Sequence, residues 1–128
     1  PTPGPTSSHP TLRALDKADL KGKIWMATFV LSDEISKGIK DGAIKFAIDQ
    51  QPYLQGYIPV AVLATMKTMG STDLAKVSAA VQANPKSMAR FTEYGLAPAY
   101  GPRHIGSGPG FVTKDNIAKV EKYAGQYR

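Results

Sequence analysis

Two short apolar runs, each followed by a helical pattern, predict an α/β chain built on a Rossmann-like parallel sheet. The first run is Ile24–Leu31, bounded by the charged turn Lys21-Gly22-Lys23; the second is Ala43–Ile48, broken only by Lys45. Unbroken apolarity is what a strand covered on both faces requires, and strand–helix alternation is the signature of a parallel sheet. The third observation is a limit. Two central strands are too few for such a sheet, so the pattern itself places the remaining strands upstream, outside this chain.

The elements follow in chain order. Residues Pro1 to His9, rich in Pro and hydroxyl groups, read as a loop, and Pro10 suits the first turn of a helix carrying Leu12, Leu15 and Leu20. After the first strand, Ser32 caps a helix with Asp33 and Glu34 in its first turn, where carboxylates complement the dipole; Ile35 and Ile39 face inward and Asp41-Gly42 ends it. The second strand ends in Asp49-Gln50-Gln51 before Pro52 and so delivers polar side chains to its own C-terminal end. From Pro52 to Met69 the apolar residues have helical spacing and surround the axis, which predicts a buried helix that Pro59 kinks or delays. A helix over Thr72–Ala83 breaks at Asn84-Pro85, and a short helical piece follows over Lys86–Tyr94. Gly95–Gly110 holds five Gly and three Pro and reads as a long irregular connection; Asp115 then caps a last amphipathic helix with Ile117, Val120 and Tyr127.

A chain of 128 residues with 42% apolar content is one ordinary domain in length and can form a real core. The net charge of +6 comes from lysines spread singly along the chain, which argues for a solvated basic surface and against a nucleic-acid partner. With no cysteine, disulfides and thiolate chemistry are excluded. No stretch reaches the ~20 continuous apolar residues of a membrane span. The start, Pro-Thr-Pro-Gly-Pro, has neither the basic residues nor the apolar run of a signal peptide and reads as the middle of a longer protein.

Phe46-Ala47-Ile48-Asp49-Gln50-Gln51-Pro52-Tyr53-Leu54-Gln55-Gly56-Tyr57 and Gly108-Pro109-Gly110-Phe111-Val112-Thr113-Lys114-Asp115-Asn116-Ile117 resemble the sugar-binding proteins of ABC importers. The order of parts agrees over nearly the whole chain, which would correspond to less than half of a receptor of the ribose-binding-protein type. The resemblance implies part of a two-lobed type I periplasmic binding protein. Residues 1–50 would be the C-terminal part of the second lobe, 51–105 a return segment belonging to the first lobe, and 106–128 a hinge crossover with the C-terminal helix. It places crossovers near Asp49–Pro52 and Gly106–Phe111, and the solute in an interlobe cleft at the C-terminal ends of the strands.

Sugars are held by planar polar side chains against hydroxyl pairs and by aromatic faces against C–H surfaces. The cleft glutamine that the family carries before proline maps onto Gln50, and Asp49 beside it has the same chemistry. Gln51 is set aside because successive strand residues face opposite ways. Phe29 walls the cleft or fills the core, and Tyr53 is the tyrosine of its helix nearest the cleft. Where the family commonly has Phe-Asp at the end of the earlier strand, this chain has Phe29-Val30, which removes a hydroxyl acceptor. Thr6, Ser7 and Ser8 read as ordinary loop residues, and Trp25 as core.

Enzyme chemistry is not expected. Ser7-Ser8-His9 joins a nucleophile type to a base type, but no orienting acid follows it in sequence. His9 and His104 are isolated from other ligand types, so no metal is expected, and Gly106-Ser-Gly108-Pro-Gly110 lacks the Lys-Ser/Thr of a phosphate loop. No cofactor is called for. The expected function is the extracytoplasmic solute-binding component of an ABC importer, periplasmic or at the cell surface. Its partners would be a sugar or polyol, the membrane permease and the remainder of the same receptor chain. The alternative is the effector-binding domain of a lac-repressor-type regulator.

Overall fold

The computed structural model of the chain describes residues 2–127. Its elements are α1 (Pro5–Lys17), β1 (Met26–Phe29), α2 (Asp33–Lys40), β2 (Ile44–Asp49), α3 (Pro52–Met69), α4 (Leu74–Gln82), α5 (Pro85–Tyr94), β3 (Ala99–Gly101), β4 (His104–Gly106), β5 (Gly110–Val112) and α6 (Ile117–Tyr123). The chain is mixed α/β and divides into two compact units. A sheet unit comprises residues 1–50 and 109–124; a helical unit comprises residues 51–108 and 125–128.

In the sheet unit β1 and β2 pair in parallel, and β5 joins β2 antiparallel to give the order β1-β2-β5. Thr2 runs parallel to the outer edge of β1: its N–H donates to the Ala27 carbonyl at 2.9 Å and its carbonyl accepts from Phe29 N–H at 3.2 Å. Register puts Thr28, Ala47 and Val112 on one face and Phe29, Ile48 and Phe111 on the other. The first face meets Leu12 of α1, Ile35 and Ile39 of α2 and Ile117 and Val120 of α6 in a continuous aliphatic core. Truncating one of these isoleucines to alanine costs about 2–5 kcal/mol. Gly38 is required here, since a Cβ on it would meet Ile44 Cδ1 at 2.8 Å; the missing side chain lets α2 approach β2.

Several sequence expectations change in this unit. The segment read as a loop to His9 is helical from Pro5, because Pro5 occupies the first helical turn and Ser7 and Ser8 turn their hydroxyls back onto the Gly4 carbonyl at 3.1 and 2.7 Å. Pro10 therefore lies inside α1. Trp25, read as core, precedes β1 and is 74% exposed, with Lys45 Nζ 4.9 Å from its ring centroid. It lies one residue outside the strand, and apolarity alone could not bury it. The third strand was hidden in the glycine-rich tail: Gly110-Phe111-Val112 forms β5.

The helical unit is built on α3, which continues through Pro59. Only Leu54 and Ile58 of this helix are buried, while Val60 and Leu63 are 68% and 65% exposed, so the prediction of a buried helix fails. Its neighbours α4 and α5 cover one face, and apolarity around the whole axis exceeds what they can bury. Asp73 and Asn84 cap α4 and α5 through their side chains. The connection read as irregular contains a hairpin of β3 and β4, tied to α4 by Ser78 Oγ–H donating to the Gly101 carbonyl at 2.9 Å. In the sheet unit the last helix is preceded by Asn116, not Asp115. Its amide accepts from Thr113 N–H at 2.9 Å and donates to the Phe111 carbonyl at 2.8 Å.

Candidate functional site

The C-terminal edge of the β1–β2 pair is where the sheet unit collects its polar and strained residues. Parallel strands send their following helices back from this edge, so the first turns of α1 and α2 begin beside it, and open α/β sheets bind ligands there. Phe29 and Asp49 close β1 and β2, and Gln50 follows exposed to solvent. Val30 sits just beyond β1 with φ at +66° and 46% exposed, while its N–H extends the ladder to the Ile48 carbonyl at 3.1 Å. A β-branched residue in left-handed backbone is a genuine outlier that costs on the order of 1–3 kcal/mol.

Three hydroxyls stitch α1 to the sheet below this edge. Ser8 Oγ is fully buried and lies within hydrogen-bond distance of Thr2 Oγ1, at 2.7 Å, and of Thr28 Oγ1. Ser8 is thereby a packing residue. One position further, His9 reaches α2: Nε2 is 3.0 Å from Ser32 Oγ and Nδ1 is 3.2 Å from Glu34 Oε2. The carboxylate that does not follow Ser7-Ser8-His9 in sequence is supplied by the first turn of the next helix. Sequence reading placed Ser32 as the cap and Glu34 in the first turn, and Ser32 Oγ does accept from Ile35 N–H at 3.3 Å. What it missed was His9, since starting α1 at Pro10 left the histidine in a loop with no defined direction.

The four residues singled out for ligand contact fall in two places. Phe29, Asp49 and Gln50 belong to the edge of the sheet unit, with Phe29 half-buried and paired in register with Ile48. Tyr53 belongs to the helical unit, where it stacks on Tyr57 at 5.7 Å between centroids and meets Tyr94 and Tyr127 edge-on at 5.7 and 5.6 Å. Gln51, set aside on strand alternation, is fully buried with φ at +50°. Its amide donates to the Ser107 carbonyl at 2.8 Å and the Ala97 carbonyl at 3.3 Å and accepts from Ala97 N–H at 2.7 Å. Two adjacent glutamines thus have opposite environments, one exposed and one locked into backbone.

The helical unit also contains a groove of about 560 Å³ lined by Tyr57, Ala61, Thr65, Val81, Asn84 and Ser87. Three of its polar side chains are engaged: Tyr57 Oη is 2.8 Å from Ser87 Oγ, and Asn84 caps α5. Burial raises the phenol pKa of Tyr100, with a smaller contribution from Tyr57, and raises that of Tyr94, where the Tyr127 phenol adds to it. Among the described residues no group of three or more His, Asp or Glu is arranged to hold a metal ion, and no helix is long and apolar enough to cross a membrane.

Fold and site together define a mixed α/β protein with a polar, conformationally strained edge at the C-terminal ends of its parallel strands. No family model matches the chain, and no curated protein matches it.

Proposed function

We propose that the chain is part of an extracytoplasmic solute-binding protein of an ABC importer, of the two-lobed type I class, and that it binds a sugar or polyol. The observation that carries this reading is the placement of Asp49 and Gln50 at the C-terminal end of β2, beside the first turns of α1 and α2. The planar polar groups of Asp49 and Gln50 hold hydroxyl pairs, and Phe29 offers an aromatic face to the C–H surface. The remainder of the receptor chain supplies the other wall of the cleft, and the closed form is what the membrane permease recognises.

Two further observations support the reading. Two of the three boundaries between the compact units, 50/51 and 108/109, fall within the segments where the resemblance puts crossovers; the third, 124/125, does not. The left-handed backbone at Val30 is one that aspartate adopts several-fold more readily than valine, and aspartate is the residue the resembled family commonly carries there. The Rossmann-like parallel arrangement extends the β1–β2 pair with strands from the rest of the receptor.

A thermal-shift screen of the full-length receptor against monosaccharides, polyols and amino sugars tests this. A ligand at a hundred times its Kd adds about 2.7 kcal/mol to stability, and Gln50→Ala abolishes the shift. No shift with any sugar class would favour a non-sugar effector, as in a lac-repressor-type regulator.

A further inference from the structure

We propose that Ser32 is a nucleophilic serine, activated by His9 and oriented through Glu34, that takes the acyl group of uncharged carboxylic esters. The inference goes beyond solute binding and does not rest on it. Its basis is the hydrogen-bond relay itself. With Glu34 Oε2 3.2 Å from Nδ1, the carboxylate fixes the imidazole tautomer that carries its proton on Nδ1. The lone pair of Nε2 then points at Ser32 Oγ, 3.0 Å away, so the serine hydroxyl donates to the base that would take its proton.

Two independent features surround the serine. It is only partly exposed and stands at the N-cap of α2, where the N–H groups of Asp33 and Glu34 have no intrahelical acceptor and can receive a developing oxyanion. Two residues earlier, Val30 holds the strained +66° backbone that turns the chain from β1 toward α2. In α/β hydrolases the nucleophile itself occupies the strained strand-to-helix turn; here Val30 carries the strain and Ser32 is extended, so what is shared is a serine between strand and helix at the C-terminal edge of a parallel pair. The carboxylates of Asp33 and Glu34 repel anionic esters, which is why the substrate class is an uncharged one.

In the first step Ser32 Oγ forms a bond to the ester carbonyl carbon while its proton passes to His9 Nε2. The tetrahedral intermediate then expels the alcohol, which leaves with the proton from His9, and the acyl group stays on Ser32. Water attacks the acyl-serine in the second step, giving its proton to His9, which returns it to Ser32 Oγ as the carboxylic acid departs. Ser32 and His9 are the catalytic residues of this reaction, and Glu34 is a positioning residue.

The test uses p-nitrophenyl acetate and a fluorophosphonate probe on the intact protein, with peptide mass spectrometry to locate the adduct. The expected result is phosphonylation of Ser32 that slows by about 100-fold or more in His9→Gln, since a positioned general base contributes on that order. His9→Gln keeps a polar partner for Ser32, and a thermal melt of each variant verifies that it is folded. Glu34→Ala should slow labelling as well and recover in part with added formate, which a merely structural carboxylate would not produce. Adducts absent from Ser32 in the folded wild type, adducts scattered over surface residues only, or an unchanged rate in His9→Gln would overturn the proposal.

Discussion

Among the described residues three other than glycine adopt left-handed backbone: Asp19 just after α1, Val30 and Gln51; the last two, one in each compact unit, are handled in opposite ways. Gln51, at the start of α3 in the helical unit, is fully buried, and its side chain makes three hydrogen bonds to the backbone at Ala97 and Ser107. Val30, at the end of β1 in the sheet unit, is half-exposed and has an apolar side chain that can form no such bond. In the helical unit the strained conformation is compensated by the side chain that adopts it. In the sheet unit the cost is carried by the surrounding fold, and it is carried at the edge where ligands of open α/β sheets bind. The cores differ too. Aliphatic side chains from three helices fill the sheet unit, whereas stacked and edge-on tyrosines knit the helical unit.

The contrast is broken most directly by truncating the compensated residue. Gln51→Ala removes three hydrogen bonds and strands buried backbone groups, which should lower stability by about 1–3 kcal/mol in urea unfolding. The same change at its exposed neighbour, Gln50→Ala, should stay within about 0.5 kcal/mol. Equal losses at the two positions would show that burial does not separate them. The uncompensated residue gives a smaller effect of opposite sign. Val30→Gly relieves the positive φ and should raise stability by about 1 kcal/mol, the gain reduced by the greater chain entropy of glycine in the unfolded state; a loss would mean that the valine side chain is needed for packing.

The smallest effect is electrostatic and belongs to the helical unit. The folded chain holds the phenolic protons of Tyr94 and Tyr100 above the ordinary phenol value of 10.0, chiefly because burial disfavours the phenolate. Between the unfolded and folded pKa the native state binds more protons than the unfolded one. The stability these groups contribute is therefore complete below about pH 10 and declines as pH rises beyond it. Ultraviolet titration should show part of the absorbance change of the six tyrosines delayed to higher pH in the folded protein and restored to the ordinary range in denaturant. Coincident folded and unfolded curves would remove the contrast between the tyrosine cluster and a solvated surface.

Much of the sheet unit was legible in sequence because its signals are local. Ser32 as a cap, Asp41-Gly42 as a stop and the polar Asp49-Gln50 end of β2 depend on neighbours one to four residues away. The start of α1 was misread because Pro10 and Pro5 both suit a first turn, and the serine hydroxyls that settle the choice bond to a carbonyl the sequence does not point out. The strand β5 was hidden by length: three residues ending in Val112 carry no period, and only pairing with Ala47 and Ile48 makes them a strand. The His9–Ser32–Glu34 relay could not be read at all, since it joins two helices across a strand and no spacing rule links them.

What the sequence determined by itself was the set of helices and strands with strong local signals, the α/β class and the polar composition of the β2 end. Apolar periodicity, caps and turn residues act over a single turn or pleat, and their energies do not depend on distant partners. Only the tertiary structure decided which glutamine is buried, that Trp25 and the outer face of α3 remain exposed, and that a histidine stands between a serine and a carboxylate. Burial and hydrogen-bond partnership are properties of surfaces brought together by the fold, and the same residue types in the same order can meet them or miss them.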